Sequence, residues 1–187
     1  MIAQEVFEKE LNLLNDLSLY RLACDLINGL PDYFFKIPAS SSGKYHPQYA
    51  LGDGGLVRHT KAAVHIVNDL LALEQYESLL IDRDYIIIAL LIHDGFKNGL
   101  PNEDGSYADF TVKEHPWIAA NYVRNFDFAD KKVLQKVAEL IETHMGQWNY
   151  GILPKPKTDA QKLVHLADYL ASRRYLDVDF CKLSETF

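Results

Sequence analysis

Cysteine is scarce in this chain, and the two residues that occur are far apart. Cys24 and Cys181 form no CxxC motif and are separated by most of the 187 residues. Small secreted domains that depend on disulfides are much richer in cysteine. The sequence therefore predicts no disulfide framework, and we expect the protein to work in a reducing cytoplasm.

Long hydrophobic runs and a secretory leader are also missing. The longest apolar run, residues 85–92, is too short to span a bilayer. The first residues, MIAQEVFEKE, have neither the basic part nor the apolar part of a secretory signal. We therefore expect a soluble protein with no membrane partner.

Acidic residues outnumber basic ones. The chain has 26 Asp and Glu against 19 Lys and Arg, a formal net charge of -7. This charge argues against a nucleic-acid scaffold but leaves a small anionic substrate open, provided that the site itself is cationic. The composition, 48% hydrophobic and 24% charged, is that of a globular protein, and the length fits one domain over residues 1–187.

Apolar residues recur at helical spacing along most of the chain, and no segments with alternating polarity indicate a sheet. The predicted helices cover residues 3–17, 18–27, 56–76, 82–92, 111–125, 129–145 and 159–176. Ser18, Asp82 and Asp159 are the predicted N-caps of three of them. We predict an all-α bundle, with N-terminal helices in residues 1–35 and the core in residues 50–175.

In the central stretch YIIIALLIHDGFK, residues 85–97, the apolar run is followed by two side chains of the kinds that bind metals. His93 and Asp94 follow directly after buried apolar residues, where polar groups are costly unless they have a partner. A divalent cation is such a partner, since imidazole and carboxylate together suit Zn, Mn and Fe. The alternative is an ordinary helix end whose polar residues face water.

Other metal-type residues lie at predicted helix ends or inside an apolar setting. His59 starts one helix in GGLVRHT, His115 precedes a proline in KEHPW, and His144 closes a helix in IETHMGQW. Asp168 lies among leucines in HLADYL, where a carboxylate needs a charged partner or a metal. Each residue alone also fits a capped helix end or a buried histidine with a hydrogen-bond partner, but all of them together favour a metal site.

The order His59, His93-Asp94, Asp168 resembles the H…HD…D signature of the HD-domain metal-dependent phosphohydrolases, which are all-helical. The resemblance covers roughly residues 50–175 and implies a helical bundle with a metal site in a central cleft. The additional histidines in EHP and ETHM resemble the branch of the family that holds two metals. One departure is HDGFK, where many relatives have HDIGK; the lysine, Lys97, keeps its offset from the doublet.

The resemblance also implies a division of roles among these residues. His59, His93, Asp94 and Asp168 would hold the first metal, and Asp94 would bridge to a second metal bound also by His115 and His144. The metals, chosen among Mn, Fe, Ni, Co and Zn, would activate a water that attacks a phosphoester, most simply that of a nucleotide or a similar small substrate. Asp94 and Lys97 are the candidate catalytic residues, Lys97 by neutralising a phosphate oxygen; its alternative is a solvated lysine.

Four further residues are candidate substrate contacts. Lys44 and His46 lie in the long loop before His59, and such loops often line a site. The loop's SSSGK segment does not match the GxxxxGK[ST] phosphate-loop pattern. Arg58 adjoins His59 and is a candidate phosphate contact, and Trp148 is a candidate to stack on a base. The alternative for Lys44, His46 and Arg58 is a side chain exposed to solvent. The alternative for Trp148 is packing against the core.

Two other functions stay open on the sequence. One is a phosphodiesterase or 3'-5' exonuclease acting on a cyclic nucleotide or an oligonucleotide, although no oligonucleotide-binding β-domain and no basic groove are evident in these residues. The other is a non-catalytic module that binds a nucleotide at an intact metal site. The sequence predicts neither the substrate nor the oligomeric state.

Overall fold

The structure is a computed structural model that describes residues 3–40, 43–44, 46–148, 151 and 154–174. Within these residues the chain forms eight α-helices and four short 3-10 segments, and no strand. The α-helices are α1 (Ala3–Val6), α2 (Glu8–Leu11), α3 (Leu17–Asn28), α4 (Gly55–Leu70), α5 (Arg83–Ile92), α6 (His115–Arg124), α7 (Lys131–Glu142) and α8 (Asp159–Ala171). The predicted all-α class is confirmed.

Helix α5 is the centre of the bundle. Every residue from Ile86 to Ile92 is fully buried, because α5 packs against α3, α4, α7 and α8. Each such Ile or Leu side chain contributes roughly 1.5–3 kcal/mol on burial. The β-branched run would also suit a buried strand, but with helices on all sides it is a helix.

All three predicted N-caps need correction. Asp16, not Ser18, caps α3, because its carboxylate accepts the amide N–H groups of Ser18 and Leu19. Asp82 gives α5 no side-chain cap and forms an ion pair with Lys136 instead. Thr158 rather than the next residue caps α8, through a reciprocal capping box with Gln161.

The first and the last predicted helix also differ from the structure. The predicted helix at residues 3–17 is broken into α1 and α2 at Phe7, whose side chain is buried in the core. Helix α8 ends at Ala171, and residues 175–187, including Cys181, lie outside the described residues. Cys24 is a buried free thiol. In the described part of the chain, no helix has both the length and the apolar character needed to cross a membrane.

The loop before α4 packs closely against the first turn of that helix. The Leu56 amide donates to the Ile37 carbonyl at 3.0 Å, and the Ala39 amide donates to the Ala50 carbonyl at 3.0 Å. A Cβ on Gly55 would lie 2.3 Å from that Ala50 oxygen. Only glycine fits there, and this close approach fixes the start of the helix that carries His59.

We therefore predict that Gly55→Ala destabilises the fold, even though alanine is normally the better helix residue. Crowding of this kind typically costs about 1–3 kcal/mol. The measurement is urea unfolding followed by circular dichroism. Gly52→Ala is the control: it has open space but a positive φ of 65°, so its cost is about 1 kcal/mol of backbone strain. Unchanged or increased stability of Gly55→Ala would contradict the proposed packing.

Candidate metal centre

The polar residues singled out in the sequence meet at one end of α5. Five separate segments of the chain deliver six side chains to this place: His59, His93, Asp94, His115, His144 and Asp168. All four histidines and Asp94 are at most 3% exposed, and Asp168 is partly buried. Buried imidazole and carboxylate groups in such number need partners, and they have one another.

The six side chains form two groups of three. The first group is His59, His93 and Asp168, whose potential ligand atoms all lie within 4.8 Å of one another. Asp168 Oδ1 is 3.0 Å from His59 Nε2 and 3.5 Å from His93 Nε2. Two imidazole nitrogens therefore converge on one carboxylate oxygen, and the rings of the two histidines lie 5.5 Å apart.

The second group is Asp94, His115 and His144, which meets the same distance limit. Asp94 Oδ1 lies 3.1 Å from His115 Nε2 and 3.7 Å from His144 Nε2, and the two imidazole nitrogens are 3.2 Å apart. Two nitrogens and one carboxylate oxygen thus converge here as well.

Asp94 lies between the two groups. While its Oδ1 faces His115 and His144, its Oδ2 is 3.9 Å from His59 Nε2 and 3.7 Å from His93 Nε2. Each oxygen of the carboxylate is therefore directed to a different group of imidazoles. This is the arrangement that a carboxylate bridging two cations requires.

Backbone carbonyls set the tautomer of three of the histidines. The Nδ1 atoms of His93, His115 and His144 lie 2.6–2.8 Å from the carbonyl oxygens of residues 90, 112 and 141, each three residues earlier in the chain. A carbonyl oxygen only accepts, so each Nδ1 carries the hydrogen. The Nε2 lone pair of each ring is left free to bind a metal, with the orientation held by the backbone.

One buried nitrogen shows that the donor set fits a metal. His93 Nε2 is fully buried and has no hydrogen-bond partner within the described residues. A buried nitrogen without a partner is costly, and this one faces the carboxylates of Asp94 and Asp168. A divalent cation with mixed nitrogen and oxygen ligands would satisfy it.

The electrostatics of the cluster keep both carboxylates ionised. Burial by itself raises the pKa of Asp94, but Lys97 and the surrounding histidines hold this pKa well below its usual value. Burial likewise opposes ionisation of Asp168, whose pKa is held well below the usual value by His59 and His93. Burial lowers the pKa of His93, yet the two carboxylates outweigh it and raise this pKa overall. The cluster therefore favours a cation at His93 Nε2.

Lys97 lies beside the doublet and forms an ion pair with Asp94 Oδ2. At Gly95, where the common pattern HDIGK has isoleucine, a Cβ would lie 2.6 Å from Leu30 Cδ2, so the Leu30 side chain would have to shift. The following Phe96 is buried against the ring of Tyr122, with centroids 5.0 Å apart. The turn therefore brings Lys97 back to Asp94 although the two residues between them differ from the common pattern.

A cavity of about 170 Å³ opens onto the cluster. Two of the candidate substrate contacts line it, His46 and Trp148. The His46 ring lies 5.7 Å from that of His59, and burial, with His59 and Lys97 nearby, lowers the pKa of His46 to about 4. His46 is therefore neutral at neutral pH. Trp148 stacks on Tyr169, with centroids 5.5 Å apart and an interplanar angle of 12°.

The other two candidate contacts lie outside the lining of this cavity. Lys44 is exposed. Arg58 donates to the backbone carbonyls of Tyr49 and Leu51, so its guanidinium ties the preceding loop to α4. No substrate role is evident for either residue in this conformation, and their assignment as substrate contacts remains a prediction.

Four cavity residues were missed in the sequence: Met145, Tyr169, Ser172 and Arg173. A signal for one of them was present, because Ser172 follows Asp168 by four residues and so lies on the same helical face. Arg173 lies just after the end of α8, where helical spacing no longer predicts the direction of a side chain.

The helical fold and this cluster define the class of protein. Residues 56–173 match the family model of the HD domain, so the chain belongs to the HD-domain family. It is also similar to the dihydroneopterin 2',3'-cyclic phosphate phosphodiesterase of Methanocaldococcus jannaschii, with 27% identity over 140 residues. That alignment covers 72% of this chain and 52% of the relative, so the chain spans about half the relative's length. No solved structure gives a significant match.

The two groups predict a specific pattern of metal content. The unaltered protein, loaded with excess Mn²⁺ and freed of unbound ions without chelator, should hold about two ions per chain. The double variant His115→Ala, His144→Ala should hold about one, because the first group stays complete. Asp94→Ala should hold none, because Asp94 would be a ligand of both ions. Mass spectrometry of the metal content measures this.

Asp159→Ala is the matched control, since Asp159 lies on the same helix as Asp168 but is exposed. It should retain the metal content of the unaltered protein. Full metal occupancy in Asp94→Ala would exclude the bridging role of this carboxylate. A single metal site in anomalous difference maps of the Mn-loaded protein would exclude the second site.

Proposed function

We propose that this protein is a metal-dependent phosphohydrolase that cleaves a phosphoester of a small substrate, such as a nucleotide. The observation that carries the proposal is the placement of Asp94, with one carboxylate oxygen facing each group of imidazoles. His59, His93, Asp94 and Asp168 would hold one metal ion, and Asp94, His115 and His144 a second. Ions at such a site supply a nucleophilic water at neutral pH and neutralise the charge of the phosphate.

The chain's own residues would orient and shield the reaction. The backbone carbonyls behind His93, His115 and His144 hold each ring with Nε2 inward, so the ligand positions exist before substrate arrives. The near-complete burial of these rings leaves the cavity as the route of approach. Phosphoryl transfer requires mainly that the reactants are positioned and that the charge of the phosphoryl group is neutralised, and a rigid site supplies both.

Lys97 would act on the substrate from the edge of the cluster. Its ammonium lies against Asp94 Oδ2 and lines the cavity. A substrate phosphate placed above Asp94 would therefore come within reach of the same ammonium. Lys97 would then neutralise a phosphate oxygen as charge develops on it.

Hydrolysis of a cyclic phosphodiester is the second candidate function. The relative from Methanocaldococcus jannaschii is named for a 2',3'-cyclic phosphate substrate, and this chain belongs to the HD-domain family. The identity of 27% and the partial coverage of the relative support a phosphoester substrate without selecting among monoesters, cyclic diesters and oligonucleotides.

A metal-and-substrate panel tests the proposed function. The protein is loaded separately with Mn, Fe, Ni, Co or Zn and assayed on p-nitrophenyl phosphate, bis(p-nitrophenyl) phosphate, nucleoside monophosphates and 2',3'-cyclic nucleotides. We expect turnover of at least one phosphoester that chelator abolishes and that Asp94→Ala lacks. A protein that holds two metal ions yet hydrolyses none of these substrates would instead support a nucleotide-binding module.

Lys97→Ala should lower turnover by about 100-fold, the typical effect of losing one charge-stabilising group. Its metal content should stay unchanged, because Lys97 pairs with Asp94 through charge and contributes no ligand. Steady-state kinetics together with metal analysis measure both quantities. Lys162→Ala, at an exposed lysine on α8, is the control. Equal rates for Lys97→Ala and the unaltered protein would exclude a substrate role for this lysine.

A further inference from the structure

One wall of the cavity is formed by Trp148, Tyr169 and Arg173, which take no part in the two metal groups. Trp148 and Tyr169 stack almost parallel, and the guanidinium carbon of Arg173 lies 4.3 Å from the centre of the Tyr169 ring and 6.0 Å from that of Trp148. A guanidinium over aromatic faces gains cation–π stabilisation and loses freedom of movement. This wall therefore presents a cation whose position is fixed.

Hydrogen bonds fix Arg173 further. Its Nε and Nη2 atoms donate to Ser172 Oγ, at 3.3 and 2.9 Å, and that hydroxyl donates to the Tyr169 carbonyl at 2.7 Å. A guanidinium carries five N–H groups in a planar fork. The Nη1 donors take part in no hydrogen bond within the described residues, so they are available to a ligand.

Within the described residues, no carboxylate neutralises the charge of Arg173. Lys97, the other cation of the cavity lining, forms an ion pair with Asp94. Arg173 forms no ion pair with any carboxylate in the described part of the chain. In a protein with a formal net charge of -7, a half-buried arginine with no ion pair among the described residues, beside a candidate phosphate site, is well placed to attract an anion.

We propose that Arg173 is a substrate-binding residue that donates to a nonbridging phosphate oxygen and makes the site favour phosphomonoesters over phosphodiesters. The proposal rests on the proposed function, because it assumes that a phosphate occupies this cavity. Arginine is suited to the role, since its planar fork matches phosphate geometry and stays charged at every working pH.

A count of oxygens gives the preference. A phosphomonoester has three nonbridging oxygens and, at neutral pH, close to two negative charges; a phosphodiester has two such oxygens and one charge. If metal ions and Lys97 engage two oxygens, only the monoester offers a third oxygen to Arg173. Arg173 would therefore add affinity for a monoester and little for a diester.

Tyr169 is a positioning residue in this proposal. Its ring supports the guanidinium from one face, and its backbone carbonyl accepts the Ser172 hydroxyl. Only the ring is open to substitution. Tyr169→Phe should preserve phosphate affinity within about twofold, whereas Tyr169→Leu, which removes the cation–π contact, should weaken it by about 2- to 5-fold.

The test measures binding and so does not depend on turnover. The Mn-loaded protein is titrated calorimetrically with inorganic phosphate, which stands for a monoester, and with dimethyl phosphate, which stands for a diester. Arg173→Ala should bind phosphate about tenfold more weakly, the effect of one charge-assisted hydrogen bond, and dimethyl phosphate within about twofold. Arg173→Lys should be intermediate, because it keeps the charge and loses the fork. Arg174→Ala, at the adjacent exposed arginine, is the matched control and should bind both probes normally.

The outcomes separate this proposal from the proposed function. Phosphate affinity that is unchanged in Arg173→Ala, an equal loss for both probes, or no phosphate binding by the unaltered protein would each overturn the role of Arg173. Selective loss of phosphate binding in a protein that hydrolyses no substrate would support Arg173 as an anion-binding residue and reject the hydrolase. Circular dichroism of each variant excludes unfolding as the cause.

Discussion

The structure depends on how one buried carboxylate is neutralised. Asp94 lies at the end of the most deeply buried helix, where an ionised side chain is tolerated only with compensating charge. Lys97 and two groups of imidazoles provide that compensation, one group at each carboxylate oxygen. The five segments that meet at this residue are therefore held by electrostatics in the same place where the helices pack by hydrophobic burial.

Helix ends are what make such a cluster possible. His93 and His144 follow the last residues of α5 and α7, where carbonyls have no partner within the helix, and both rings bond to such a carbonyl. The same contact that completes the helix end directs Nε2 toward the centre of the bundle. His115 uses a carbonyl of the turn before α6 to the same effect. Local backbone chemistry thus prepares the ligand positions of the candidate metal centre.

The floor and the wall of the cavity differ in what they specify. The floor consists of His59, Asp94, Lys97 and Asp168, which belong to the candidate metal centre or adjoin it. The wall consists of Trp148, Tyr169 and Arg173, which stack on one another and take no part in the two metal groups. The HD-domain match spans both parts of the cavity, and membership of a family does not by itself assign the substrate.

The sequence by itself determined the helical class and the identity of the buried central helix, and it singled out the six polar residues that meet at the end of α5. These properties depend on the spacing of apolar residues and on the cost of placing His93, Asp94 or Asp168 among apolar neighbours, and both can be inferred from the sequence alone.

Tertiary structure decided the rest. The two-sided placement of Asp94 requires distances between residues far apart in the chain. The position of Arg173 depends on ring stacking beyond the end of a helix, and the bond of Arg58 to its own loop depends on how that loop folds back. Such contacts arise only when packing brings separate segments together, and no periodicity in the sequence encodes them.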